Sequence, residues 1–422
     1  MDIKKIKDKL KFLKPMDTDE NGPEELQVQQ IRLFQAKAPA DGKSGFLKGL
    51  KFRPGKAKML VAGVLAAAVV LWALSYYNSH CVYTDYAVLS TVENVDITGT
   101  EYAVLGDSIV KYGPDGVFCV NSKNESKWSA AYSMQTPITD VCGKSMVIAE
   151  QQGTQVYVVN EKGVVGSFKT ALPIMKARVS KQGVAALILK DADVSWIELY
   201  DSAGTELAKI KATLQDSGYP LDVALSSDAS RMMVSYLGID QGSMNTRIAF
   251  YDFSSAAESD ESHLTSTANY PGRVFPEVYY ADDTTPVAVS DTGFVVFKGR
   301  KAPEERESVT FEKEILSSFH DESYIGFVFP NDAADCRYQM ELYTYGGKRK
   351  MQAAFDCDYE EVKMDGGEIL LYDEMNCTVY RTSGVRCFQT VYEKQVSYFM
   401  KLSGSRKYLV ITKDSMDRIR IC

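Results

Sequence analysis

Apolar and polar positions follow two regimes along this chain. From Met59 to Leu74 every residue is apolar or glycine, and Ser75, Tyr76 and Tyr77 extend the run to nineteen residues. As a helix, such a run crosses the roughly 30 Å hydrocarbon core of a bilayer. No charge interrupts it, and Trp72, Tyr76 and Tyr77 gather at its far end, where amphipathic rings favour the headgroup boundary. A buried core helix would carry a polar stripe, and a cleaved signal peptide would not follow a 58-residue polar leader. The pattern predicts a transmembrane helix over 59–77.

Beyond the run the period changes. Short β-rich segments such as Val156–Val159, Trp196–Tyr200, Ile248–Phe253, Phe294–Phe297 and Ile369–Tyr372 alternate with turn residues, and no window of twelve or more residues keeps a helical period. This predicts an all-β domain over 83–422. Aromatic strand-and-turn units recur, centred near Lys123, Lys162, Ala203, Ser254, Arg300, Gly346 and Ser383, with spacings of 39, 41, 51, 46, 46 and 37 residues. A period of roughly 40 to 50 residues in an all-β chain indicates a β-propeller with one four-stranded blade per repeat. Two stacked sandwiches are the alternative source of regular turns. After Ser383 the chain runs through VSYFMKL, KYLVITK and RIRIC and stops where an eighth outer strand is due, while Tyr86 to Val95 (YAVLSTVENV) is left unassigned. Pairing that segment with the last three strands closes a ring and removes two sheet edges. Eight blades follow, with seven the runner-up.

Charge sets the expected topology. Lys43, Lys48, Lys51, Arg53, Lys56 and Lys58 crowd the N-terminal side of the apolar run, and no Lys or Arg follows it until Lys111. The positive-inside rule then places residues 1–58 in the cytoplasm and the large domain outside, in a single-pass cell-membrane protein. Residues 1–58 carry 14 basic and 8 acidic side chains, or +6; the whole chain is −8, which leaves −14 for the remainder. That acidic balance disfavours nucleic acid and anionic polymers as partners. Within the tail, Ile3, Ile6, Leu10 and Leu13 form a short basic amphipathic helix stopped by Pro15, able to lie on a membrane or stay solvated. Residues 17–41 read as a polar linker, so the tail is largely disordered.

Candidate chemistry is sparse. His80, His263 and His320 share no ligand spacing and read as exposed or loop histidines. No nucleophile elbow, phosphate loop or dinucleotide fingerprint occurs. Glu258, Asp260 and Glu261, and again Asp282 and Asp283, are carboxylate clusters better explained as solvated turns than as Ca²⁺ ligands. Asn124 and Asn376 match the glycosylation sequon, matches that are chance if the chain is bacterial. Tyr343 and Tyr345 share a strand face and Tyr279 and Tyr280 do not; packing between blades is the expected role of all four. No catalytic, cofactor-binding or metal-ligating residue is assigned.

All eight cysteines, at 81, 119, 142, 336, 357, 377, 387 and 422, follow the apolar run. If Gly346-Gly347 is a two-residue hairpin turn, Tyr345 faces Lys348, and counting outward sets Cys336 opposite Cys357 at a non-hydrogen-bonded pair, where side chains approach closely. A Cys336–Cys357 disulfide is predicted. The same count across Ser383-Gly384 sets Cys387 opposite Tyr380 and turns Cys377 to the other side of the sheet, so those two are expected as buried thiols.

The stretch WSAAYSMQTPITDVCGKSMVIAEQQGTQVYVVNEKGVVGSF, with QDSGYPLDVALSSDASRMMVSYLGID and IAFYDF, resembles an uncharacterised clostridia-type family of membrane-anchored, propeller-like proteins, domain of unknown function 5711. The resemblance spans about Cys81 to Arg420. It implies a propeller fold and an envelope location and supplies no site residue; Gly218 to Asp222 and Ser226 to Asp228 look structural. The reading is a membrane-anchored extracytoplasmic propeller that binds or scaffolds a protein or envelope polymer. The alternatives are a surface enzyme or ligand sensor with its site at the propeller channel, or signalling through the short tail; catalysis stays open, with a non-catalytic role favoured.

Overall fold

A computed structural model describes residues 54–95, 99–240, 242–254, 263–332 and 335–422. The tail expectations for residues 1–53 and the carboxylates at 258, 260 and 261 lie outside the described residues. Helix α1 runs over Pro54–His80, 27 residues, or about 40 Å of helix. Among the described residues no helix is long and apolar enough to cross a membrane. Within α1 the described side chains are those of residues 63–73, 76, 77 and 80, so the predicted span over 59–77 is not continuous among them.

Among the described residues, thirty-two strands form eight four-stranded antiparallel sheets. Seven blades are consecutive in sequence: 101–131, 137–169, 174–213, 219–271, 277–310, 317–355 and 361–391. The eighth joins Val396–Lys401, Lys407–Thr412 and Ser415–Ile421 to Tyr86–Glu93, which pairs along Ser415–Ile421 from Tyr86↔Ile421 to Glu93↔Ser415. The expected eight blades and their closure by both ends of the domain are what the structure holds. Each of the seven turns read from sequence connects the third and fourth strands of one blade.

Burial explains why these residues make these strands. Middle strands are covered on both faces by neighbouring blades, so Thr285–Ser290 is buried throughout and reads as one apolar run. Outermost strands are half-covered, so Glu304–Thr310 alternates between exposed and partly buried positions. The cores lie between blades, one apolar cluster for each of the eight junctions. The closing junction is among them: Met400, Leu409, Ile411 and Met416 of blade 8 meet Ile109 and Val120 of blade 1. Tyr343, Tyr345 and Tyr279 share the junction of blades 5 and 6, and Tyr280 faces the opposite junction, as their strand positions require.

Two hairpins differ in detail from the simple count. The Gly346-Gly347 turn is longer than two residues: Thr344 N–H donates to Lys348 O at 3.0 Å, Gly347 N–H donates to Thr344 O at 3.0 Å, and Gly347 takes φ 71°. A register shift after Leu342↔Met351 restores the predicted pairing from there to Tyr338↔Phe355. In blade 7 a shift between Val379↔Phe388 and Tyr380↔Arg386 makes Cys387 the extra residue. Cys377 and Cys387 are both buried thiols, as expected, but they pack in the same cluster against blade 8. The bulge breaks the alternation that had set them on opposite sides.

In each blade the first strand is innermost. Turns between first and second and between third and fourth strands therefore lie on one face of the ring. Turns between second and third strands, and the connections to the next blade, lie on the other. The chain enters the ring at Tyr86, level with Ile421 and so on the former face.

Candidate functional site in the propeller channel

The innermost strands of blades 2 to 6, Pro137–Cys142, Ile174–Val179, Tyr219–Leu225, Glu277–Asp282 and Ser317–His320, wall a cavity of about 210 Å³. An innermost strand has no neighbour on its channel edge, so side chains there must be small, solvated or paired. Here they are paired across blades. Asp140 of blade 2 accepts the Val179 N–H of blade 3 at 2.8 Å. Arg178 of blade 3 reaches both ways: its Nη1 lies 3.6 Å from Asp140 Oδ1, and its Nη2 donates to Asp222 Oδ1 and Oδ2 of blade 4 at 3.0 and 2.9 Å. Asp222, fully buried, also accepts the Val278 N–H of blade 5 at 3.0 Å, and Lys176 Nζ stands 3.8 Å away. Glu277 of blade 5 accepts from Ser318 Oγ of blade 6 at 3.0 Å and lies 3.5 Å from His320 Nε2. The His320 ring stacks on Tyr279, centroids 3.6 Å apart and planes at 4°.

Electrostatics follow from that geometry. Loss of hydration holds the Asp140 carboxyl above the usual range, more than the Arg178 charge and the Val179 N–H offset. Burial also opposes the Glu277 charge, but the His320 and Ser318 hydrogen bonds and the Arg178 field outweigh it and hold that carboxyl low. Burial works against the Arg178 cation, and Asp222 and Asp140 more than compensate. Across the ring, Lys363 lies over the Tyr398 ring at 3.5 Å and 3.6 Å from Glu361. Loss of hydration pulls its ammonium below the ordinary lysine value despite Glu361 and Asp365. Asp365 accepts the Lys401 N–H of blade 8 at 2.8 Å, the same inner-strand clamp that Asp140 and Asp222 make.

The residues singled out from sequence fall mostly elsewhere. His320 is exposed, as expected, but at a strand end on the channel. His80 ends α1, its Nδ1 2.9 Å from Tyr76 O, and His263 sits in the blade 4 turn beside Phe253. Asp282 Oδ1 accepts Thr284 N–H at 2.7 Å and closes its own turn, and Asp283 Oδ1 accepts Ser227 N–H at 2.9 Å and ties the blade 5 turn to the blade 4 turn. Asn124 donates to Glu93 O and Asn376 to Asp373, each at 2.8 Å. Cys336 and Cys357, predicted as a disulfide, flank the outer hairpin of blade 6; both are half-buried and both are free thiols in the structure. Among the described residues no group of three His, Cys, Asp or Glu side chains is placed to hold a metal ion. Sequence reading missed Asp140, Lys176, Arg178, Asp222 and Glu277. Their signal is a charge set inside the first strand of successive repeats (PITDVC, IMKARV, YPLDVAL, EVYYAD), visible only once blade boundaries are known.

Residues 78–421 match a family of unknown function, DUF5711. The chain belongs to the DUF5711 family. The match takes in the whole ring of this DUF5711 member, from the strand that closes it to the last strand of blade 8. No curated protein sequence matches the chain. Among solved structures it is similar to BamB from Moraxella catarrhalis, at 11% identity over 80% of this chain and 100% of that one, with a TM-score of 0.50. BBS1N in complex with ARL6DN (12% identity, 81% and 98% covered, TM-score 0.42) and a eukaryotic initiation factor (12%, 71% and 90%, 0.42) are more distant in shape. At such identities the likeness is one of fold.

Proposed function

We propose that this DUF5711 protein is a membrane-anchored, extracytoplasmic binding or scaffolding propeller of the cell envelope. Its anchor is the 59–77 segment, with the basic flank inside; the uninterrupted apolar run and the one-sided lysines support this reading. Accessibility labelling of Cys422 in intact cells tests it. Modification by an impermeant reagent is expected, and protection until lysis would overturn the topology.

The observation that carries the binding role is the second hairpin of blade 4. Its strands, Arg231–Asp240 and Ser243–Asp252, have ten residues each. Ile239 and Met244 pair directly across its end and remain 70% and 54% exposed. Leu214, in the connection entering blade 4, is exposed on the same face. Large apolar side chains exposed on a protruding hairpin suit a folded protein partner whose own apolar patch they complete. That face is opposite the one where the chain enters the ring at Tyr86. A photo-reactive residue at position 244 of the full chain is expected to capture one partner protein in cells. Capture should be lost with Ile239→Asp and absent from position 165 on the other face; equal capture from both positions would overturn the reading.

A ligand sensor at the channel is the second reading, favoured by the convergence of Asp140, Arg178, Glu277 and His320 on one cavity. The mutual pairing of those groups supports a structural role more directly.

A further inference from the structure

We propose that Cys336 and Cys357 form a disulfide that staples the outer hairpin of blade 6 to the connection entering blade 7. The inference is independent of the proposed function, because it concerns the chain alone. The pairing Tyr338↔Phe355, continued outward across Arg337 and Asp356, sets Cys336 level with Cys357. The backbone there is held in place beyond the last strand pair. Arg337 N–H and Nε donate to Asp356 Oδ1 at 3.2 and 2.8 Å, Nη2 donates to Asp356 O at 2.8 Å, and Nη1 donates to Asp358 Oδ1 at 2.8 Å. The clasp thus joins the residue after Cys336 to the two residues that bracket Cys357. Residues 337 and 356 and residues 336 and 357 point to opposite sides of the hairpin, so the arginine clasp and the two sulfurs do not compete for space.

The other side is shared by one phenol. Burial first, then the neighbouring Cys357 thiol, pushes the Tyr380 hydroxyl up to about 12, and the Cys336 thiol adds to the rise. Both thiols lie near enough to Tyr380 to act on its hydroxyl, which places them on the same side of blade 6. Among the described strand pairs Cys119 lies opposite Val110 and Trp128, Cys142 opposite Ser145, and Cys377 opposite Tyr372 and Thr390, so none of these faces a second cysteine. Cys336 and Cys357 are free thiols in the structure and only half-buried, so a soluble disulfide reaches Cys336.

Closure proceeds by exchange with a low-molecular-weight disulfide. The Cys336 thiolate attacks one sulfur of the donor, forms a mixed disulfide and expels one thiolate. Cys357, deprotonated in turn, attacks the Cys336 sulfur and expels the second. Two protein thiols are oxidised to one disulfide, the donor is reduced to two thiols, and the two protons end on the expelled thiolates.

Peptide mapping of the full chain, reduced and then treated with oxidised glutathione, tests this. The expected product joins the Cys336 peptide to the Cys357 peptide and is lost on reduction, with Cys119, Cys377 and Cys387 alkylated only after unfolding. In Cys357→Ser, Cys336 should accumulate instead as a mixed disulfide with glutathione. Finding Cys336 and Cys357 in the unsubstituted chain as free thiols, as two separate glutathione adducts, or joined to other cysteines would overturn the proposal. That mapping needs no variant, so a folding defect in the serine variant leaves it decisive.

Discussion

Between blades 5 and 6, Phe294, Phe327, Phe329 and Tyr343 fill the gap with rings, Phe294 and Phe327 stacking at 5.6 Å. Toward the channel, Asp222 is just as completely buried, yet its neighbours are a guanidinium, an ammonium and a backbone N–H. Both regions join one blade to the next. The junction does so through contact area, which many combinations of apolar residues supply. The wall does so through matched donors and acceptors, in which each partner is needed by the other. The ring therefore tolerates exchange between blades and resists it at the channel.

The largest effect expected is at the junction. Phe327→Ala removes a fully buried ring between blades 5 and 6 and should cost about 3 to 5 kcal/mol, read by chemical denaturation. A cost under about 1 kcal/mol, small for a buried aromatic truncation, would mean that the blades do not depend on this packing.

Next comes the wall. Arg178→Met strands the buried Asp222 charge and should cost about 3 kcal/mol, toward the low end because Lys176 and the Val278 N–H remain. Adding Asp222→Leu should recover most of that loss, since a buried pair replaced by apolar groups is often neutral. Full additivity of the two losses would show that Arg178 and Asp222 do not act as a pair.

Acid sharpens the same contrast on a smaller scale. In the blade 4 turn, burial opposes the Asp228 charge, but hydrogen bonds from Ser226 and Ser230 and the Arg231 field outweigh it and hold the carboxyl at about 2. A carboxyl held low contributes stability above its unfolded pKa, near 3.8, that is lost as pH falls toward 2. Asp228 is 39% exposed, so screening reduces the contribution to about 1 kcal/mol. Asp228→Asn should flatten the acid limb of the stability profile in that window; an unchanged limb would remove Asp228 from the account. Glu277, also held low, adds loss of the same sign. Asp140, held high, acts oppositely: its contribution is present below its unfolded pKa and disappears as pH rises through the folded one. Asp140→Asn should therefore lose less stability than the wild type on going from acid to neutral pH.

The smallest stability effect belongs to the exposed hairpin. Ile239→Asp touches neither region and should stay within about 0.5 kcal/mol of wild type while abolishing partner capture. A larger loss would mean that the hairpin serves the fold.

Legibility divides along the same line. Blade number and closure were readable because middle strands, covered on both faces, leave runs such as TPVAVS and GFVVFK at a regular spacing, and because Tyr86–Glu93 is a strand without a partner nearby in sequence. The wall was not readable. Asp140, Arg178, Asp222 and Glu277 lie 38, 44 and 55 residues apart, and only the stacking of successive blades brings them together. Each alone looks like an ordinary polar residue in a half-exposed strand. Local bulges were equally hidden: the extra residue at Cys387 reversed a face assignment, whereas the shift beyond Gly347 left the Cys336 to Cys357 count intact.

The division of labour between wall and hairpin is tested most directly by the yield of the cross-link from position 244 in two variants of the full chain. The account predicts that Arg178→Met, though less stable, keeps the cross-link at temperatures where it remains folded, and that Ile239→Asp, as stable as wild type, loses it. Loss in Arg178→Met with retention in Ile239→Asp would contradict the account and place binding at the channel.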